Sequence, residues 1–186
     1  MNRVFTIGHS NREWSDFISI LKDNHVDLLV DVRRYPRSRA CPQFNKEQMT
    51  TRLPEENVLY VHIEKLGGRR NKLDIKEMGR DNNNTGWKNK SFRAFADYMA
   101  TTSFREGIDK LLSLMKKYGN LAIMCAEAVP WRCHRRMIAD YLIMVEGINV
   151  FDIFDSKKQP ASHELTSFAR LVDDKIITYP KNMIDR

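Results

Sequence analysis

The stretch Cys125-Ala-Glu-Ala-Val-Pro-Trp-Arg-Cys-His-Arg135 places two thiols, a carboxylate, an imidazole and two arginines within eleven residues. It follows the apolar run Leu121–Met124 and leads into a helical pattern with Ile138, Leu142 and Val145 facing inward. A loop that leaves a buried strand and opens a helix can aim backbone N–H groups at an anion. Arg132 and Arg135 add fixed positive charge with forked donors. The segment therefore reads as a candidate anion site, with Arg132, His134 and Arg135 among its binding groups. The plainer alternative is a helix start decorated with solvated arginines.

Three chemistries fit such a loop. Cys125 stands where a thiolate nucleophile would, and a helix start with nearby arginines lowers a thiol's pKa. However, Arg132 is one residue too far for a Cys-x5-Arg loop, and Glu127 brings a competing charge. In the second chemistry Glu127 acts as a general acid or base, with Asp31 or His9 assisting. The alternative for those carboxylates is an ion pair, with Glu127 on Arg33 or Arg135. The third is a zinc site of Cys125, Cys133 and His134. Paired Cys-x2-Cys knuckles are absent, and adjacent residues on a helix point in different directions. No cofactor is expected, and zinc stands as the secondary alternative.

Basic segments lie elsewhere. Arg33-Arg34-Tyr35-Pro36-Arg37-Ser38-Arg39 holds four arginines and no acid, stiffened by Pro36 and Pro42. Arginines around an interleaved tyrosine suit phosphate contact and base stacking. Arg69 and Trp87 belong to a polar excursion over residues 69–90, read as a lid or a wall. Trp87 there either stacks on a ligand or anchors the loop. The formal net charge of +7 favours anionic partners, a nucleotide or nucleic acid first.

The elements that must position these groups alternate between strand and helix. Strands are expected at residues 4–7, 27–32, 58–63, 121–124 and 150–154. Helices are expected after a Ser10-x-x-Glu13 capping box, over 46–52, over 91–99 and after a Ser103-x-x-Glu106 box. Trp14, Phe17, Ile18 and Leu21 make one apolar helical stripe; Ile108, Leu111, Leu112 and Met115 make another. The pattern predicts an α/β fold, a three-layer sandwich with a mostly parallel sheet of about five strands. A single domain over residues 1–186 is expected, ending in a polar tail over 156–186.

Ligands of such sheets bind beyond the carboxyl ends of the strands. Four polar clusters follow directly after expected strands: His9-Ser10, Arg33 to Arg39, Gly67-Gly68-Arg69 and Cys125 to Arg135. They are expected to converge on one rim. Gly67 and Gly68 would let backbone approach a ligand closely.

Composition narrows the class further. No apolar run approaches the roughly 20 residues that cross a bilayer, so no membrane partner is expected. The start has no apolar signal core, and three cysteines are too few for a disulfide framework. Both features point to the cytoplasm. Oligomeric state is not legible in the sequence.

The chain resembles the domain of unknown function 488 family. The resemblance rests on Gly8-His9-Ser10; Asp31-Val32-Arg33 with Pro36-Arg37-Ser38; Phe44-Asn45; and Leu66-Gly67-Gly68. It continues through Asn84 to Trp87, Ser91-Phe92-Arg93, Ala96 to Met99, Cys125-Ala126-Glu127, Trp131 to Arg135 and Ile138-Ala139-Asp140. It covers nearly the whole chain in order. It implies a shared fold and a shared site that includes the Trp87–Met99 block, and assigns no catalytic roles.

The expectation is a hydrolytic enzyme for a phosphate-bearing substrate, a nucleotide or nucleic acid. Its binding groups are Ser10, Arg33, Pro36, Arg37, Ser38, Arg39, Gly67, Gly68, Arg69, Trp87, Arg132, His134 and Arg135. Glu127, Asp31, His9 and Cys125 are the candidate catalytic groups. A Cys125 thiolate enzyme of phosphatase or rhodanese type and a non-catalytic nucleic-acid-binding module are the alternatives.

Overall fold

The computed structural model describes residues 3–71 and 83–181. The five expected strands form β1 (Val4–Gly8), β2 (Leu28–Asp31), β3 (Leu59–His62), β4 (Leu121–Cys125) and β5 (Val150–Ile153). They run parallel in the order β3-β2-β4-β1-β5. A sixth strand, β6 (Ala161–Ser162), pairs antiparallel with β5. It comes from the polar tail, which also forms a hairpin of β7 (Arg170–Asp173) and β8 (Ile176–Thr178).

Successive side chains of a strand face opposite sides of the sheet. Phe5, Ile7, Leu29, Ala122 and Met124 pack on one side with Phe17 and Leu21 of α1 (Trp14–Asp23) and Met49 and Leu53 of α2 (Lys46–Glu55). Val4, Leu28, Val30, Leu121 and Ile123 pack on the other side. There they meet α3 (Lys90–Tyr98), α4 (Thr102–Lys117) and α5 (Arg135–Met144), through Phe95, Phe104, Leu111, Ile138 and Leu142. The result is the expected three-layer α/β sandwich. Its central strands are apolar on both faces, as a covered parallel sheet requires. Among the described residues no helix is long and apolar enough to cross a membrane.

Two helix starts differ from expectation. The Ser10–Glu13 spacing does not close a capping box, because Ser10 takes a left-handed φ of 49° and α1 begins at Trp14 without a side-chain cap. The cap of α4 is Thr101 rather than Ser103, and its hydroxyl accepts the Phe104 amide at 3.2 Å. In both segments the chain enters the helix at another point and neither box forms.

Residues 72–82 of the polar excursion lie outside the described residues. At its far end Trp87 is 7% exposed and packs against Phe92, Phe168 and Tyr179, with ring centroids 4.9–5.3 Å apart. Trp87 is therefore an anchor of this segment to the core and does not offer its face to a ligand.

Candidate functional site

A cavity of about 350 Å³ opens at the carboxyl ends of the strands. The loops after β1, β2, β3 and β4 all reach it, as the sheet topology predicts. His9 and Arg33 in its floor belong to a polar network that runs beneath it. Asp31, fully buried at the end of β2, grips the Arg33 guanidinium, with Nη2 to Oδ2 at 2.6 Å and Nε to Oδ1 at 2.9 Å. The Tyr60 hydroxyl donates to the same Oδ2 at 2.7 Å. Burial and the Asp31 charge together hold the Tyr60 pKa well above its ordinary value.

Arg33 continues the network. Its Nη2 also donates to the Phe44 carbonyl at 2.7 Å, and its Nη1 lies 3.1 Å from His9 Nε2. A guanidinium only donates, so Nε2 is the acceptor and the His9 ring is neutral. Its Nδ1–H then donates to the Ser10 carbonyl at 2.8 Å. Burial, with the Arg33 charge second, pushes the His9 pKa down to about 4. Burial works against the Arg33 charge, but Asp31 outweighs it and the Arg33 pKa rises.

Arg135 is the second committed arginine. It is fully buried at the start of α5 and donates to the Thr6 hydroxyl and to the Glu127 and Ala128 carbonyls. Its three anchors hold the Cys125–Arg132 loop over the end of β1. The loop passes so close that a Cβ on Gly8 would sit 1.8 Å from the Glu127 carbonyl oxygen, so only glycine fits there.

The rim differs. Arg37, Arg69, Glu127 and Arg132 are exposed and line the cavity. Arg37 lies 3.5 Å from Glu47, an exposed pair. Ser38, Arg34 and the 60%-exposed Tyr35 complete this side. Arg34 donates to the Arg69 carbonyl at 2.7 Å, which fastens the β2 loop to the β3 loop.

The third part of the wall carries Cys125, Cys133 and His134, all buried. His134 Nδ1 lies 3.8 Å from Cys125 Sγ and 3.7 Å from Cys133 Sγ. A hydrogen bond with Cys133, then burial, pushes the Cys125 thiol far up. Burial also disfavours the Cys133 thiolate, but the Cys125 thiol and the Arg135 charge outweigh it and hold Cys133 at about 7.

Several expectations change. Asp31 and His9 cannot serve as free acid or base, because each polar atom already has a partner within the floor. Arg33 and Arg135 position the loops instead of presenting a fork to an anion. Cys125 is buried beside a second sulfur, and both effects work against its thiolate. Gly67 and Gly68 admit the chain itself: a Cβ on Gly67 would meet the Arg34 backbone at 2.6 Å, and one on Gly68 would meet His134 Nδ1 at 2.9 Å. Glu127 is exposed, and Arg135 holds its main-chain carbonyl, not its carboxylate. Ser10, Asp31, Pro36, Arg39, Gly67, Trp87 and Arg135 do not line this cavity.

His9, Arg33, Arg37, Ser38, Gly68, Arg69, Cys125, Glu127, Arg132, Cys133 and His134 are brought together. The lining residues not among the candidate site residues are Arg34, Tyr35, Ser91, Phe92, Phe95 and Ala126. Arg34 and Tyr35 stand inside the basic segment, and Ser91 and Phe92 in the block that the family resemblance marks. Either signal was enough to find them. Phe95 carries no signal of its own, being one of many apolar residues on a helix stripe.

A family model described as "Domain of unknown function DUF488" matches residues 13–142. No curated protein and no solved structure matches the chain. The family match spans most of the chain, which therefore belongs to that family.

Proposed function

We propose that this DUF488 family member is a hydrolase for a phosphate-bearing substrate, a nucleotide or nucleic acid. The observation that carries the reading is the composition of the cavity rim. Arg37, Arg69 and Arg132 face a space with one carboxylate, Glu127, among its lining residues. The floor arginine Arg33 is already paired with Asp31, so the positive field of the cavity comes from the rim. Guanidinium forks at a cavity mouth match phosphate oxygens and gain strength where the walls exclude water. Tyr35 at the same mouth supplies a face on which a base can stack.

Glu127 is the group left for proton handling, because Asp31 and His9 are tied into the floor. In the proposed step a water oxygen attacks phosphorus while the bond to the leaving oxygen breaks. The attacking water gives a proton to the Glu127 carboxylate, and the leaving oxygen takes up the bonding pair and a proton. The rim arginines offset the charge on the phosphoryl oxygens throughout. The three free cysteines suit a reducing cytoplasm.

The test is a screen of nucleotides and of damaged or modified DNA and RNA, run with and without chelator, on wild-type and Glu127→Gln protein. Glu127→Gln should lower turnover by about 10²- to 10⁴-fold and leave binding in place. Unchanged turnover in that variant would reject the role of Glu127. Salt-dependent binding with no product from any member of the panel would make the chain a binding module instead.

A further inference from the structure

We propose that Cys125, Cys133 and His134 bind one zinc ion, with the fourth coordination position open to the cavity. The proposal stands on its own geometry and goes beyond the hydrolytic reading. Tetrahedral zinc with ordinary Zn–S and Zn–N bonds sets its ligand atoms about 3.6 Å apart for sulfur and nitrogen, and about 3.8 Å for two sulfurs. The observed sulfur-to-nitrogen separations are 3.7 and 3.8 Å, and all three ligand atoms lie within 4.8 Å of one another. The cluster is thus within a small adjustment of a metal's coordination edges.

The imidazole is oriented for the task. His134 Nε2 lies 2.9 Å from the Val32 carbonyl and 3.1 Å from the Leu66 carbonyl. Carbonyls only accept, so Nε2 carries the proton. In the neutral ring Nδ1 then holds a lone pair, and that lone pair faces the two sulfurs. A metal-bound histidine is commonly fixed in this way, by a carbonyl on its far nitrogen. Phe95 packs edge-on against the ring at 4.9 Å, and Gly68 leaves room beside it. Two carbonyls and two side walls therefore hold the ring in a ligating pose.

As adjacent residues of one helix, Cys133 and His134 would point in different directions. They do not share a helix: α5 begins at Arg135, and Cys133 is extended at φ −135°, ψ 145°. The break in conformation between the two residues lets neighbours converge on one point. Two sulfurs and one nitrogen suit zinc over the harder divalent ions. All three residues line the cavity, so the protein fills three positions and leaves the fourth for water or a substrate oxygen.

The test uses the full chain, purified under reducing conditions and titrated with zinc, with bound metal counted by elemental analysis. Wild-type protein should take up one equivalent. Cys125→Ser and Cys133→Ser should each bind more than about 100-fold more weakly. Cys41→Ser, which alters the cysteine outside the cluster, should bind as wild type does. No uptake by folded, reduced wild type, uptake undiminished in both serine variants, or formation of a Cys125–Cys133 disulfide in place of metal binding would overturn the proposal. If the serine variants fail to fold, cobalt(II) added to wild type decides. A thiolate-to-cobalt charge-transfer band sized for two sulfurs supports the site, and its absence refutes it. None of these readouts involves turnover, so the zinc site and the hydrolytic reading stand or fall separately.

Discussion

Beneath the cavity, Arg33 and Arg135 are buried and bonded to carboxylate, hydroxyl and carbonyl oxygens of their own chain, and of the two only Arg33 lines it. On the rim, Arg37, Arg69 and Arg132 are exposed. All five are arginines close to strand ends, and only burial separates the two sets. A buried guanidinium must have its donors satisfied, which makes it a construction element. An exposed one at a cavity mouth can turn its fork to a ligand, Arg37 by leaving its exposed pairing with Glu47. The difference teaches that local basicity alone does not identify a binding arginine. Its partners do.

The largest expected effect comes from breaking the buried arginine set. Arg135→Met removes the donors of the Glu127 and Ala128 carbonyls and of Thr6, and should cost about 3–5 kcal/mol in denaturant unfolding. A loss below about 1 kcal/mol would mean that the loop does not depend on these bonds.

Two buried histidines sharpen the contrast through pH. His9 is held neutral, with its pKa down at about 4, by burial and Arg33. An unfolded histidine takes up its proton near 6.5. The unfolded state therefore binds more protons between those values, and stability should fall as pH drops from 6.5 toward 4. His163 behaves oppositely. Burial works against its charge, but Asp140 and Asp152, the latter at 2.8 Å, raise it to about 9. The folded state then holds the extra proton, and stability should decline as pH rises from 6.5 toward 9. Each limb is on the order of 3 kcal/mol. His9→Asn should flatten the acid limb and His163→Asn the alkaline one. Unaltered limbs in both variants would refute the assignments.

The fold was largely legible, because continuous apolar runs in the strands and 3.6-residue stripes in the helices come from burial that any partner would impose. Convergence on one rim was legible for the same reason, since topology carries strand ends to one side. The division of roles was not. Arg33 and Arg132 look alike in a string of letters, and only the depth of Asp31 separates them. Tyr60 reads as an ordinary strand aromatic, yet its hydroxyl completes the Asp31 shell. Cys133 and His134 looked incompatible as ligands because the sequence does not reveal that the helix begins one residue later.

A smaller effect is expected at the mouth. Tyr35→Ala should weaken binding of a single-stranded oligonucleotide by roughly 1–3 kcal/mol if a base stacks there, while its unfolding free energy stays within about 0.5 kcal/mol of wild type. Unchanged affinity would remove Tyr35 from the ligand path.

The most direct measurement is the salt dependence of binding of a 5′-phosphorylated single-stranded oligonucleotide to wild-type and Arg132→Ala protein. Wild type should bind with affinity that falls steeply as salt rises. In Arg132→Ala the slope of log affinity against log salt should shrink by about 0.7, the share of one phosphate contact, with unfolding unchanged. The same slope in both proteins, or wild-type binding that ignores salt, would contradict an anion site built on the rim.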